Sequence, residues 1–294
     1  MQAIVSRTGI AILYAISWLP MSVLYRASDV LAILLYDVFR IRRGVTLENL
    51  RAAFPFRSER ENRRIGRRYY RHFSDLVFEV IKCLTISDAE IRRRCRIEDL
   101  EILDRNDADQ RGVVAVLGHY GNWEWAALSS ALSVKQPMVI VYKPLRNPYF
   151  DALFRKTRER FGVTMVPMRE VGRHYVRSRN EHFVNCFVSD QAPRKSEVAH
   201  WTTFLNRDTA VHLGAEKLAR KYDHAVVFVR LEKERRGQYV LRMESLVEQP
   251  TDTEDREITE CHVRRLERQI REAPEFWLWS HRRWKRSRPV EREE

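Results

Sequence analysis

A histidine and a carboxylate stand five positions apart in segment 118–125, which reads GHYGNWEW. An apolar run, 113–117, ends just before His119, and a helix-like run begins near Glu124. This order predicts a strand, a tight turn and a helix, and α/β proteins hold reactive groups at such turns. An imidazole there can take a proton from a hydroxyl, and a carboxylate one helical turn away can fix its tautomer. We therefore predict that His119 and Glu124 form a pair for group transfer to an alcohol.

The same spacing also arises by chance, and spacing alone favours a structural histidine. The neighbouring residues favour chemistry, because Gly118 and Gly121 bracket His119 as a tight turn with close backbone approach requires. The sequence contains neither the H-E-x-x-H zinc motif nor the G-x-S-x-G nucleophile turn, so two common hydrolase signatures are absent. We expect neither a metal nor a cofactor.

Six further sequence blocks accompany the histidine motif in a consistent order. The full set is NLRAAFP at 49–55, YRHF at 70–73, VLGHYGNWEW at 116–125, VYKPLRNPYFD at 141–151, RERFG at 158–162, SDQAP at 189–193 and WLWSHRRWK at 277–285. Together these blocks resemble the late acyltransferases of lipid A biosynthesis. The H-x-x-x-x-D/E motif also belongs to the wider glycerolipid acyltransferase group, so the other blocks are what narrow the resemblance.

The resemblance implies transfer of a fatty acyl group from acyl carrier protein to a hydroxyl of a phosphorylated lipid A precursor. It places this reaction at the cytoplasmic face of the inner membrane. Arg158 and Arg160 match the paired arginines of the family, which are candidates for binding phosphate or stabilising the oxyanion. Asn122, Arg169 and Asp190 are further candidate substrate contacts, although a structural ion pair is an equal alternative for Asp190. Segment 204–209 departs from the glycine-containing turn of many members, which leaves the acceptor's identity open.

The charge balance favours an anionic partner. The chain has 53 Lys and Arg against 40 Asp and Glu, a formal net charge of +13, and arginine suits phosphate and carboxylate contacts. No helix-turn-helix, zinc-knuckle or RNA-binding consensus is present, so we expect no nucleic acid partner. The remaining candidate partners are a phosphorylated lipid, an anionic bilayer and an acidic carrier protein. The four cysteines lack C-x-x-C spacing, which favours a reducing compartment.

The amino terminus is predicted to anchor the chain to a membrane. Residues 8–25 carry no charge, and a second apolar run covers 30–36. Eighteen helical residues reach about 27 Å, slightly short of a hydrocarbon core of about 30 Å, and Pro20 disfavours a straight span. One span and two interfacial helices both remain possible, and a cleaved signal peptide is a weaker alternative. Arg26, Arg40, Arg42 and Arg43 follow these runs, so the positive-inside rule places the bulk of the protein in the cytoplasm.

The remaining pattern predicts an α/β fold, with a central mixed β-sheet flanked by helices. Strands are predicted at 113–117, 138–142, 163–166, 183–188, 225–231 and 239–243, and helices at 60–83, 125–132, 150–161, 209–222 and 254–272. The helix at 60–83 has one basic face, which suits either water or anionic headgroups. No linker or repeat divides the chain, so we predict an anchor over 1–43 and one acyltransferase domain over 44–294.

Two other functions stay open on the sequence. The first is an acyltransferase that acts on another lipid acceptor, a phospholipid or an aminolipid. A protein of another class, a non-catalytic polybasic one that docks on anionic membrane or nucleic acid, would use His119 merely to fill a turn. The observation that separates the enzyme from the docking protein is whether the His119 and Glu124 side chains face each other at the mouth of an apolar groove.

Overall fold

A mostly parallel sheet of seven strands organises the chain. The computed structural model describes residues 2–178, 181–194 and 200–288. The strands are β1 (Cys95–Glu98), β2 (Val113–Leu117), β3 (Met138–Tyr142), β4 (Val163–Pro167), β5 (Val184–Val188), β6 (His200–Phe204), β7 (Arg207–Val211), β8 (Ala225–Arg235) and β9 (Gln238–Val247). The order in the main sheet is β1-β9-β8-β2-β5-β3-β4, and β6 and β7 form a separate hairpin. Within the main sheet the pair β8–β9 is antiparallel and the others are parallel.

Helices cover the sheet and form the amino-terminal part of the chain. They are α1 (Gln2–Ser17), α2 (Met21–Ile33), α3 (Arg43–Ala53), α4 (Glu59–Lys82), α5 (Asp88–Arg94), α6 (Glu101–Ala108), α7 (Trp123–Ser133), α8 (Pro148–Glu159), α9 (Val171–Arg177), α10 (Gly214–Tyr222) and α11 (Glu257–Glu272). A π-helical turn, Leu34–Val38, extends α2. The predicted fold class, an α/β protein with a central mixed sheet, is confirmed.

The central strands form where the sequence is continuously apolar. All five residues of β2 are buried, as expected for a parallel strand covered on both faces. The predicted helix at 209–222 is wrong at its start, because Thr209 and Val211 belong to β7. These β-branched residues pair with β6 across a two-residue turn in which Leu205 and Asn206 have positive φ angles. The helix begins only at Gly214.

Helix α4 begins at a capping box and carries polar residues on its buried face. The Ser58 side chain accepts a hydrogen bond from the Glu61 amide, and the Glu61 carboxylate accepts one from the Ser58 amide. Further along the helix, His72, Asp75 and Glu79 are buried. Buried ionisable groups need partners, so this face of α4 marks a polar network inside the fold.

The two amino-terminal helices meet at a sharp bend near Pro20. Within the described ranges, no single helix has both the length and the apolar composition to cross a membrane. The pair 3–17 and 21–38 meets that criterion only together, with a bend of 118° between its members. Helix α2 also reaches the main core, where Leu24 is fully buried in a cluster with Val113 and Trp125. The boundary between an anchor, 1–43, and a catalytic domain stays a prediction.

Candidate active site

Strand register brings His119 and Asp190 together. Leu117, the last residue of β2, lies beside Val188, the last residue of the neighbouring strand β5. Both strands end at the same edge of the sheet. The residues two positions beyond their ends therefore lie in equivalent places. His119 and Asp190 are those two residues, and they meet although 71 positions separate them in the sequence.

Two glycines allow the turn between β2 and α7 to pack closely. A Cβ atom on Gly118 would lie 2.7 Å from a Leu266 methyl carbon and 3.1 Å from Asp190 Oδ2. Gly121 has a φ angle of +59°, and a Cβ atom there would lie 2.8 Å from Leu231. The first position requires glycine for space, and the second requires it for both space and backbone conformation. The predicted role of the two glycines in a tight turn agrees with this geometry.

Asp190 fixes the His119 ring from one side. Its Oδ1 lies 2.5 Å from His119 Nδ1. Its Oδ2 accepts hydrogen bonds from the His119 amide at 2.8 Å and from Trp277 Nε1 at 2.7 Å. Burial opposes ionisation of this carboxyl, but the charge of His119 and these hydrogen bonds hold the pKa of Asp190 well below its usual range. An ionised Asp190 makes Nδ1 the protonated ring nitrogen, so Nε2 is left as the acceptor.

The Nε2 side of His119 faces an apolar cavity. The cavity measures about 1010 Å³ including its open mouth, and it runs between α7 and the sheet. Its lining includes Trp123, Ala127, Met138, Cys186 and Leu241. Gln191 Nε2 lies 3.2 Å from His119 Nε2, and the Trp123 ring packs edge-on against the imidazole. The site therefore joins a potential base to a space that fits an apolar chain.

Glu124 also lines this cavity, but its partner is Arg158. Arg158 Nη2 lies 2.7 Å from both carboxylate oxygens of Glu124, and Arg158 Nε lies 3.0 Å from Oε2. Both side chains are about 15% exposed, so the pair is largely shielded from water at the cavity edge. The sequence pattern predicts that Glu124 orients His119. In the structure Asp190 occupies the position against Nδ1, because β5 delivers it there, and Glu124 forms an ion pair instead.

Asn122, a candidate substrate contact, is fully buried beneath the turn. Its Oδ1 accepts a hydrogen bond from the Trp125 amide at 2.9 Å, which caps α7. Its Nδ2 donates to Glu79 Oε2 at 2.8 Å. Both polar ends of the side chain are thus used within the protein, and Asn122 holds the start of the helix that carries Glu124.

The two other predicted arginines lie away from the His119 ring. Arg160 donates to the carbonyl oxygens of Cys83 and Ile86, both at 2.9 Å, so it ties the end of α8 to the end of α4. Arg169 belongs to a 3₁₀ turn, its side chain is 82% exposed, and it pairs with Glu170 at 3.3 Å. Of the predicted arginines, Arg158 is the one that lines the cavity.

Gln191, Trp277 and Glu79 also contribute to the site, although none of them is among the predicted site residues. Gln191 was visible as part of the SDQAP block, and Trp277 as part of the terminal block. Trp277 reaches the site because Tyr120 forms an isolated β-bridge with it and the Gly121 amide donates to the Phe276 carbonyl. Glu79 had no sequence signal beyond its place on the apolar side of α4.

Comparison with known proteins agrees with the geometry. The chain is 26% identical over 282 residues to the lipid A biosynthesis lauroyltransferase of Escherichia coli (strain K12), covering 94% of this chain and 90% of that protein. It is 23% identical over 284 residues to the lipid A biosynthesis palmitoleoyltransferase of the same organism, covering 96% and 91%. A lipid A biosynthesis acyltransferase of Haemophilus influenzae is 24% identical over 254 residues, covering 85% and 79%. The model of the bacterial lipid A biosynthesis acyltransferase family matches residues 2–286, and the chain belongs to this family.

Proposed function

We propose that this acyltransferase moves a fatty acyl group from an acyl carrier protein thioester to a hydroxyl of a lipid A precursor, with His119 as the general base. One observation carries the proposal. Asp190 engages Nδ1 of His119, and the opposite ring nitrogen faces an apolar cavity that also holds the Glu124–Arg158 pair. A base, an apolar space for a chain and a cation for an anionic group are what acyl transfer to a phosphorylated lipid needs.

In the proposed reaction, His119 Nε2 takes the proton of the acceptor hydroxyl as its oxygen attacks the thioester carbonyl carbon. The carbonyl oxygen becomes an oxyanion, and the tetrahedral intermediate then expels the thiolate of the carrier. The proton held by Nε2 passes to that thiolate, so the histidine returns to its starting form. Asp190 stabilises the imidazolium that exists between the two proton transfers.

Arg158 is proposed to bind negative charge in the substrates. It uses Nε and Nη2 for Glu124, so Nη1 is not part of the pair. A guanidinium held by a carboxylate at a cavity edge suits a phosphate of the acceptor or the developing oxyanion. In this proposal Glu124 holds the Arg158 side chain in place, and Asp190 orients the His119 ring. Asn122 and Arg160 support the site from within the fold.

The reaction is proposed to take place at the cytoplasmic face of the inner membrane. Supporting this, the bent helix pair exposes large apolar side chains, including Ile4, Ile12, Trp18, Val30 and Ile33. The outer face of α4 carries exposed arginines, which would interact with anionic headgroups at about 1 kcal/mol each near the surface. These two surfaces together suit an interfacial position.

Replacement of His119 tests the proposal. We expect His119→Ala to lower transfer from acyl carrier protein thioester to lipid A precursor by about 10²–10⁴-fold, the usual contribution of a general base. The matched control is His182→Ala, because His182 pairs with Asp107 on the surface, outside the cavity. Circular dichroism shows whether each variant folds. A folded His119→Ala protein with the wild-type single-turnover rate would refute the assignment of the base.

A further inference from the structure

A second apolar groove lies on the other side of the Glu124–Arg158 pair from the His119 cavity. It measures about 500 Å³ and lies among α1, α4, α7 and α8. Its lining is dominated by aliphatic and aromatic side chains, among them Leu13, Leu84, Leu128, Leu153 and Phe154. Glu124 and Arg158 line both cavities, so the ion pair lies between the two apolar spaces. A volume of this size lies within the range of about 300–1,000 Å³ typical of ligand pockets.

Helix α1 forms one wall of this groove and is fixed at both ends. Near its start, Ser6 Oγ accepts a hydrogen bond from Asn147 Nδ2 at 3.0 Å. At its end, the Ser17 carbonyl accepts hydrogen bonds from Lys82 Nζ at 3.0 Å and Thr85 Oγ1 at 2.7 Å. These bonds reach across to α4 and to the start of α8. The groove is therefore bounded by a helix held in a defined place, and it is more than a gap beneath a loosely packed terminus.

The chemistry of the lining distinguishes the two cavities. The His119 cavity contains the ring nitrogen that can accept a proton, whereas the second groove has no histidine among its described lining residues. Its one thiol, Cys83, donates to the Glu79 carbonyl, and burial raises the pKa of that thiol. A group bound in the second groove thus has no imidazole beside it, and the Glu124 carboxylate in its lining is paired with Arg158. The groove suits an unreactive apolar chain whose polar end reaches the Glu124–Arg158 pair.

We propose that this groove binds an acyl chain already present on the acceptor lipid, while the His119 cavity binds the acyl chain of the donor. The inference rests on the proposed function and assigns its second lipid subsite. The thioester carbonyl must lie beside the hydroxyl that His119 Nε2 deprotonates, and the proposal places the chain attached to that carbonyl in the His119 cavity. The acceptor's own chain then extends from the ion pair in the other direction. Leu13 lines the groove while Ile12 and Trp18 are exposed on the same segment, which gives an apolar path from the bilayer.

Filling the groove tests this assignment. Leu153→Trp places a large ring in the groove from α8, and the matched control, Ala152→Trp, adds the same ring at the neighbouring exposed position. Transfer is measured from one acyl carrier protein thioester to two acceptors, one with its full acyl chains and one with a chain shortened by several methylenes. The donor chain length is then varied with a single acceptor. Thermal unfolding reports whether each variant is folded.

We expect the wild-type enzyme to prefer the long-chain acceptor, since each methylene removed from water changes affinity by about fourfold. Leu153→Trp should lower kcat/KM for the long-chain acceptor at least about tenfold and remove that preference, without changing the preferred donor length. Ala152→Trp should keep both preferences. A shift toward shorter donors in Leu153→Trp would assign the groove to the donor chain and overturn the proposal. Unchanged preferences for both substrates would show that the groove is a packing void.

Photolabelling gives a second readout that does not depend on turnover. An acceptor lipid with a diazirine in its acyl chain should label peptides of α1, α4 and α8, and Leu153→Trp should reduce that labelling. Labelling confined to peptides of β3 and β5, which line the His119 cavity and not the groove, would contradict the assignment. If the wild-type protein transfers no acyl group to any acceptor, but the lipid still labels α4 and α8, the proposed function is refuted instead.

Discussion

Asp190→Asn provides the sharpest test of the site, because the surrounding donors dictate how the new amide must lie. Oδ2 of Asp190 accepts two N–H bonds, from Trp277 Nε1 and from the His119 amide. An amide NH₂ group placed there would face two donors, and each unsatisfied buried donor costs about 1–3 kcal/mol. The oxygen of the new Asn side chain therefore stays at the Oδ2 position. Its NH₂ group must face His119 Nδ1.

This orientation reverses the tautomer of His119. Nδ1 must now accept a hydrogen bond, so the ring proton moves to Nε2, the nitrogen that faces the cavity. A protonated Nε2 cannot take the acceptor's proton. We expect kcat to fall by about 10³–10⁴-fold, close to the loss of about 10⁴-fold for the equivalent change in Ser-His-Asp triads. KM should stay within a few-fold of its wild-type value, because the cavity lining is unchanged.

The measurement is single-turnover transfer from acyl carrier protein thioester, with circular dichroism and thermal unfolding as controls for the fold. Trp277→Phe serves as a companion variant, since it removes one of the two donors that hold the oxygen in place. In the double variant with Asp190→Asn, the amide can flip at lower cost, and we expect about ten- to a hundredfold recovery over Asp190→Asn alone. Wild-type kcat in a folded Asp190→Asn protein would refute the argument that Asp190 sets the tautomer.

Three further changes have defined outcomes. Glu124→Gln should lower kcat/KM by about ten- to a hundredfold, since charge-assisted hydrogen bonds contribute about 1.5–3 kcal/mol each, and steady-state kinetics with Glu124→Asp, which should retain part, checks this. Burial lowers the pKa of His72 to about 3 and that of His262 to about 4, below the unfolded value of about 6.5. Between the folded and unfolded pKa values, the unfolded chain therefore binds more protons than the folded one. These two histidines should lower the unfolding free energy by about 2.5 kcal/mol from pH 7.5 to 5.5, and urea titrations of the corresponding Gln variants should show a weaker dependence of stability on pH. Tyr25→Phe should cost about 1–3 kcal/mol, measured by urea unfolding, because Tyr25 Oη donates to the buried Glu79 carboxylate at 2.8 Å; an unchanged midpoint would contradict this.

The sequence was sufficient for the strand, turn and helix that hold His119, because each has a local signal. A five-residue apolar run bounded by turn residues favours a short buried strand, and Gly118 and Gly121 mark the turn itself. The contact between His119 and Asp190 has no local signal. It depends on β2 and β5 being neighbours with Leu117 beside Val188, which is a property of the sheet order. Asp190 could be picked out as a carboxylate that needs a partner, but the identity of that partner could not.

The failure at Thr209 has a different cause. The periodicity over 209–222 fits a helix, but pairing with β6 stabilises residues 207–211 more than an extension of α10 would. The positive φ angles at Leu205 and Asn206 close that hairpin, and only Asn206 has a side chain that favours such a conformation. The pattern of one segment cannot show that a second segment competes with the helix by pairing with it as a strand.

Glu79 shows how the two ends of the fold meet beneath the catalytic turn. This fully buried carboxyl group accepts hydrogen bonds from Tyr25 of α2, from Asn122 at the start of α7 and from Tyr239 of β9, each at 2.8 Å. Burial raises the pKa of Glu79, and the hydrogen bonds from Tyr239 and Tyr25 act against that rise. Asn122 in turn caps the helix that carries Glu124. The helices proposed to rest on the bilayer and the turn that holds His119 are therefore both hydrogen-bonded to one carboxyl group.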